Sequence, residues 1–393
     1  MFDTGLFWSL VLVSTALSYL LPKGAKRTRA CLLILVSFLV LYELAMLDWK
    51  LILVLIASYL WIAIGVRLTS GFGVRNPFKA SFIVVLPVLL LWMWGKQATA
   101  LNLAHFRFLY FVGFSFFLVK AWTFIKDFHD GRTGKVDPVV LAAYFFYFPT
   151  YVSGPMHLFN EFDQTIQNRK AIDGKSFIDV LFRLLLGMVK IKVIAPMFAP
   201  VSLVALANGA GSTGQLVLAS FAYSIVIWAD FSGYCDLAIS TSRLTGLETP
   251  ENFNYPYLAT NLREFWQRWH ITFSRVLTSY IFVPLSRMLQ AALGDRRRLI
   301  MVIAYLVTFG FCGYWHGPSS NFTMWGAYHA AGLIISDFYR PSAAKRRLKR
   351  RSNSKLKYAE PFIQALCIIG TFAYVSLGWI LFVLPLSTIL KHR

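Results

Sequence analysis

The chain has 393 residues, 57% of them hydrophobic, 17% aromatic and only 15% charged, with 39 Lys and Arg against 18 Asp and Glu for a formal net charge of +21. Soluble globular chains are about 25% charged, so this composition excludes an ordinary cytosolic globular enzyme, a disordered chain and a disulfide scaffold. The basic excess would suit nucleic acid. Here, however, the charges lie between long apolar runs, the pattern of a polytopic membrane protein with basic cytoplasmic loops.

Residues 4–22 carry no Asp, Glu, Lys or Arg, enough chain to cross a hydrocarbon core of roughly 30 Å at about 1.5 Å per residue. The positive cluster Lys23, Lys26, Arg27 and Arg29 follows this run, whereas a cleaved signal peptide is charged the other way round. The N-terminus is therefore expected outside and the 23–29 loop in the cytoplasm. Further spans are expected at 30–47, 51–66, 80–95, 106–125, 138–156, 180–206, 215–240, 299–315, 322–337 and 361–390. The last reads either as one long tilted helix or as a short hairpin. The flexible Asn208–Gly214 stretch divides one apolar run in two, and Gly317–Asn321 divides another.

The alternation of a membrane barrel is absent. The expected fold is an all-α polytopic membrane bundle of about 11 transmembrane helices, forming a single integral-membrane domain over 1–393. Segments 67–79, 263–275, 287–298 and 340–357 are Lys/Arg-rich and read as loops. They fit a positive-inside bias with attraction to anionic lipid, or a docking surface for an acidic cytoplasmic partner. Cys31, Cys235, Cys312 and Cys367 stand singly in apolar surroundings and read as small core residues.

Polar residues at membrane depth are costly, and each is a functional hypothesis. They concentrate between 228 and 329. Asp230 and Asp236 interrupt an apolar helix. Pro250–Tyr257, with Asn252 and Asn254, is too rich in Pro and Asn for a regular helix. It reads as irregular backbone buried in protein or lining a cavity. Then come Leu262–Ser274, holding Trp266, Arg268, Trp269 and His270, and Cys312–Gly317, holding Trp315 and His316. Trp325 and His329 follow.

Of the seven histidines, His105, His129, His157 and His392 read as structural. His316 ends 17 residues free of Asp, Glu, Lys and Arg, at a helix-to-turn boundary beside Trp315 and Gly317. Imidazole suits proton transfer near neutral pH, and a flanking glycine would let a substrate approach closely. His316 is the foremost catalytic candidate, with His270 and His329 behind it. A metal site from His270, His316 and Asp236 has no HxxxH spacing to support it. Trp266, Trp269, Trp315 and Trp325 fit an interfacial belt or the walls of an acyl or pantetheine tunnel. No GxSxG, Walker A, HExxH or helix-opening GxGxxG sequence is present.

At Asp230-Phe-Ser-Gly-Tyr-Cys-Asp236, Pro250–Tyr257, Glu264-Phe-Trp-Gln-Arg-Trp-His270, Tyr314-Trp-His-Gly317 and Trp325-Gly-Ala-Tyr-His329 the chain resembles the membrane-bound O-acyltransferase family, with Phe148–Pro155 as an upstream match. The specific likeness covers about 145–335. It implies a helix bundle with re-entrant or irregular segments around a central tunnel. It also implies that His316 holds the family's catalytic histidine position, with His270 as the second functional residue. Asp236, Asn252, Asn254, Trp266, Arg268, Trp269, Trp315 and His329 would bind substrate.

The bacterial branch that modifies envelope glycans, by D-alanylation or O-acetylation, fits best, which implies residence in the bacterial plasma membrane. The donor would be a cytoplasmic acyl thioester, on a phosphopantetheine carrier protein or CoA, with no tightly bound cofactor. The acceptor would be an extracytoplasmic glycan hydroxyl or a secreted partner transferase, and nucleic acid would play no part. Two departures are Thr278-Ser279-Tyr280 where that branch usually has Arg-Asp-Tyr, and Ala330 where Gly is usual.

The mechanism expected is attack of a hydroxyl deprotonated by His316 on the thioester. His270, Asn252, Asn254 or an N–H near Gly317 are candidate oxyanion donors. A covalent route through Ser232, Ser274 or a cysteine is the variant. Rival readings are a transporter or flippase of an envelope precursor built around Asp230 and Asp236, and a non-catalytic scaffold acting through the basic 340–357 segment.

Overall fold

The computed structural model describes residues 4–22, 24–44, 49–74, 76–100, 113–206, 212–317, 319–352 and 359–385, and these contain helices but no strand. Five helical stretches are long and apolar enough to cross a membrane: Ile52–Gly71, Thr213–Leu244, Ile271–Leu293, Arg297–His316 and Glu360–Val383. Gly5–Leu20 and Lys79–Trp94 are shorter apolar helices. The chain is an integral membrane protein, all-α among the described residues.

These residues form two compact units: Met1–Gly187 with Tyr234–Pro250, and Met188–Gly233 with Glu251–Arg393. The first holds α1 (Gly5–Leu20), α2 (Lys26–Leu44), α3 (Trp49–Gly71), α4 (Pro77–Ala100), α5 (Phe114–His129), α6 (Pro138–Phe146), α7 (Phe159–Gln167) and most of α8 (Gly174–Val189). Helix starts follow local chemistry. Thr4 Oγ1 accepts from the Phe7 N–H at 3.2 Å, and Asp137 accepts from the Val139 N–H at 2.9 Å with Pro138 in the first turn. The core of this unit is aromatic, with Phe117, Phe124, Tyr144, Phe145, Phe146 and Phe162 all buried.

The basic residues after α1 are tied down individually. Lys26 pairs with Asp163 at 2.6 Å and Arg27 with Asp137 at 2.5 Å. Arg29 is buried and donates to the carbonyls of Ile166 and Pro22. They begin α2 where a loop was expected. Lys23 lies outside the described residues.

The second unit contains the short α9 (Ala195–Phe198) and α10 (Leu203–Leu206), then α12 (Leu262–Arg268), α13 (Ile271–Val276), α14 (Val283–Leu293), α15 (Arg297–His316), α16 (Ser320–Ser352) and α17 (Glu360–Val383). Helix α11 (Thr213–Leu244) gives its residues up to Gly233 to this unit and the rest to the first. Helices α15 and α16 pack closely because Gly326 has no side chain: a Cβ there would run into the Phe309 carbonyl.

Several expected boundaries move. Residues 263–275 and 287–298 are largely helical, and Ile271–Leu293 forms an apolar stretch of spanning length that the local Arg density had disguised. The 180–206 run is broken into α8, a π-helical turn at Lys190–Ile194, and α9 and α10. Residues 138–156 form only a nine-residue helix, then a 3₁₀ turn at Phe148–Thr150. The 340–357 segment continues α16 as helix to Ser352, and its remainder lies outside the described residues, as do parts of the 30–47 and 106–125 runs. The 361–390 run is one helix as far as Val383. Cys235 and Cys312 are buried as expected, but Cys31 and Cys367 are exposed on apolar helices.

Candidate active site

The second unit gathers most of the sequence-selected residues. Asn261 caps α12, its Oδ1 accepting from the Glu264 N–H at 2.9 Å. Glu264 reaches back to the Thr260 N–H at 2.8 Å and the Thr260 hydroxyl at 2.7 Å. It also pairs with Arg268 at 2.7 Å, and Arg268 donates to the Asn254 carbonyl at 3.3 Å. Partial burial pushes the Glu264 carboxyl up, but the Thr260 bonds and the Arg268 charge outweigh it and hold the group below its ordinary range. Arg268 is thereby a clamp on the irregular 250–262 segment. The Asn254 side chain is exposed, and its backbone makes the contacts, with N–H to the Arg268 carbonyl at 2.9 Å.

His270 sits between α12 and α13 in the left-handed region, φ 45° and ψ 52°. Its ring is buried, edge-on to Phe231 at 4.8 Å, with Phe273 at 5.0 Å. Its Nδ1 is 3.2 Å from Asn252 Oδ1, which also accepts from the Thr272 N–H at 3.1 Å and hydroxyl at 2.9 Å. Trp269 turns the other way, stacked on Phe265 and against Phe253 and Trp379.

His316 ends α15. Its imidazole contacts Trp315 at 4.8 Å, Trp325 at 5.3 Å, Phe382 at 5.0 Å and Phe322 at 6.2 Å. Trp315 in turn lies 4.4 Å from Phe273, which packs on His270. One chain of rings, Phe273 and Trp315, thus links the two imidazoles. Gly317 serves packing and does not open an approach: a Cβ there would strike the Phe322 ring. His329 is fully buried among Trp266, Trp325 and Phe309.

A cleft of about 360 Å³ opens beside this wall, lined by Arg263, Trp266, Ser274, Arg275, Thr278 and Ser279 among others. Thr278 and Ser279 belong to a π-helical stretch, Leu277–Phe282, between α13 and α14. Such widened turns recur at functional sites. Arg263 is fixed by Asp337, donating from Nε to Oδ1 at 3.2 Å and from Nη2 to Oδ2, while the Tyr305 hydroxyl donates to Oδ2 at 2.7 Å.

Asp236 belongs to the first unit, where Arg183 Nε meets its Oδ1 at 2.9 Å. Asp230 is exposed in the second. His129 and His157 have structural partners, the Thr69 hydroxyl at 3.0 Å and the Glu248 carbonyl at 3.0 Å. His105 and His392 lie outside the described residues. Residue pattern alone missed Thr272, Arg183 and the Arg263–Tyr305–Asp337 tie. The strongest available signal was the presence of charged residues at the ends of apolar runs, which require partners.

A profile of the MBOAT, membrane-bound O-acyltransferase family, matches residues 126–377, and the chain belongs to this family. Among curated relatives it is 30% identical over 272 residues to the "Probable alginate O-acetylase AlgI" of Azotobacter vinelandii, covering 69% of this chain and 50% of that protein. It is 31% identical over 245 residues to the peptidoglycan O-acetyltransferase of Helicobacter pylori, covering 61% and 43%. With the teichoic acid D-alanyltransferase of Bacillus subtilis it shares 26% identity over 348 residues, covering 85% and 82%. The chain thus spans about half the length of the AlgI proteins it matches.

Proposed function

We propose that the protein is an O-acyltransferase that moves an acetyl or D-alanyl group from a cytoplasmic thioester to a hydroxyl of an extracytoplasmic envelope polysaccharide, or to an intermediary transferase. His316 is the general base. The observation that carries this reading is the placement of His316 and His270 on one aromatic wall, joined through Trp315 and Phe273, in a chain of this family.

An alcohol is a poor nucleophile until a base takes its proton during attack. The hydroxyl oxygen bonds to the thioester carbonyl carbon as its proton passes to the His316 imidazole. The tetrahedral oxyanion then collapses, the C–S bond breaks, and the leaving sulfur takes the proton back from the imidazolium. Ester and free thiol result, and the base is regenerated. The Trp-rich surroundings limit competing hydrolysis by keeping water scarce.

The donor is a thioester on a phosphopantetheine carrier protein or on CoA, and no tightly bound cofactor is required. The cleft at Arg263, Arg275, Ser274, Thr278 and Ser279 offers guanidinium and hydroxyl groups to the phosphate and amides of such an arm, and Trp266 offers apolar contact. In this reading about 11 spans in the bacterial plasma membrane surround a tunnel joining donor and acceptor sides, and the partners are a carrier protein or acyl-CoA inside and a glycan or secreted transferase outside.

The test uses purified protein in detergent with acyl thioester, with and without a polysaccharide acceptor, following free thiol. Thiol release stimulated by acceptor and lowered roughly 10²–10⁴-fold in His316→Ala, with folding verified, is the expected result. Near-normal release by that variant removes the base assignment. A transporter or scaffold would release no thiol at all.

A further inference from the structure

Asn252 has the most completely defined polar environment around the two histidines. It is fully buried, and one atom, Oδ1, meets three groups: the Thr272 N–H, the Thr272 hydroxyl and His270 Nδ1. A backbone N–H can only donate, so the side-chain atom facing it is the amide oxygen, and the amide orientation follows from chemistry. An amide oxygen can only accept, so His270 Nδ1 carries the proton. In a neutral imidazole that leaves the lone pair on Nε2.

The backbone fixes the same arrangement. The Ile271 N–H donates to the Asn252 carbonyl at 3.0 Å and the Asn254 N–H to the Arg268 carbonyl at 2.9 Å. His270 is therefore held in its left-handed conformation by cross-links on both sides. Phe231 and Phe273 against the ring restrict its rotation.

We propose that Asn252 is a positioning residue that holds His270 in the Nδ1–H tautomer, so that a lone pair on Nε2, and not an N–H, is presented to the hydroxyl-bearing substrate. The consequence for catalysis rests on the acyl-transfer reading; the tautomer does not. It separates the two imidazoles: His316 takes the proton of the attacking hydroxyl, and His270 accepts a hydrogen bond from a neighbouring hydroxyl of the acceptor. Neutral His270, its single N–H committed to Asn252 Oδ1, then does not serve as the oxyanion donor.

The experiment labels the full chain with ¹³C,¹⁵N-histidine in lipid bilayers and assigns His270 by its loss in His270→Gln. Solid-state NMR reads the protonated ring nitrogen in wild type, Asn252→Asp, Asn252→Leu and Thr272→Val, and thiol-release kinetics accompany each. The Nδ1–H tautomer is expected in wild type, Asn252→Asp and Thr272→Val. Asn252→Leu should lose that preference, with kcat falling about 10²-fold or more and KM changing by about threefold or less. Asn252→Asp keeps an acceptor for all three donors and should retain kcat within about tenfold, and Thr272→Val within about threefold.

An Nε2–H tautomer in wild type overturns the proposal. So does a loss in Asn252→Asp or Thr272→Val as large as in Asn252→Leu, since the network would then be structural only. If Asn252→Leu does not fold, the wild-type tautomer and the Asp and Val variants still decide. An Nδ1–H tautomer in a protein that releases no thiol upholds the positioning role of Asn252 and overturns the acyl-transfer reading.

Discussion

The Arg263–Tyr305–Asp337 tie joins α12, α15 and α16, the three helices that carry Trp266, His316 and His329, and its loss has a calculable size. The Asp337 side chain is 9% exposed and that of Arg263 38%. Asp337 accepts from Arg263 Nε at 3.2 Å, from Nη2, and from the Tyr305 hydroxyl at 2.7 Å, while Nη2 also donates to the Tyr305 oxygen at 2.8 Å. Breaking a fully buried pair costs about 3–5 kcal/mol, whereas exposed pairs are worth about 0–1 kcal/mol. With the carboxylate buried and the guanidinium over a third open, Asp337→Asn should cost about 2 kcal/mol, roughly a thirtyfold shift in the folding equilibrium. The assay is equilibrium unfolding in mixed micelles followed by tryptophan fluorescence. A double-mutant cycle with Arg263→Met should return a coupling of about 1 kcal/mol or more. Because Arg263 lines the cleft, Asp337→Asn should also raise KM for the thioester more than it lowers kcat. Stability within about 0.5 kcal/mol of wild type, with no coupling to Arg263, would refute the reasoning.

Three other perturbations act elsewhere. Gly326→Val places a side chain against the Phe309 carbonyl and should destabilise by about 2 kcal/mol or more, read as loss of monodisperse protein after heating; a wild-type profile counts against the close approach. Arg183→Met takes the guanidinium from the buried Asp236 carboxylate and should cost roughly 2–3 kcal/mol, with Asp236→Asn in the same chain recovering part of it; no recovery would show that the charge is not what was lost. Glu264 is held below its ordinary carboxylate value, so its contribution is present at neutral pH and disappears as pH falls through that lowered value. Unfolding measured from pH 7 down to about pH 3 should therefore be flatter in Glu264→Gln, and identical slopes would remove Glu264 from the acid response.

Much of this arrangement is legible in the residues because a membrane makes polar side chains conspicuous. His270, His316, Trp266 and Trp325 stand out against apolar neighbours, and all four lie on one wall. What escaped is of two kinds. Helical stretches bearing arginines, such as Ile271–Leu293, read as loops when charge density is taken for solvent exposure, yet Arg263 finds its partner 74 positions away in Asp337. The glycine beside His316 suggested access, but what fills the space is Phe322, which sequence proximity does not specify. Asp236 drew attention as a site residue for its setting within an apolar helix, while its partner Arg183, on a different helix, gave no local signal.

The backbone at His270 changes which amino acid makes the proper blank at that position. Any L side chain there bears roughly 1–2 kcal/mol of steric cost, and glycine bears none. An alanine replacement keeps that burden while removing the ring's packing, so it mixes chemistry with folding. Glycine removes the ring and relaxes the chain together, leaving a void shaped for exogenous imidazole, and chemical rescue in that background could report on the heterocycle alone.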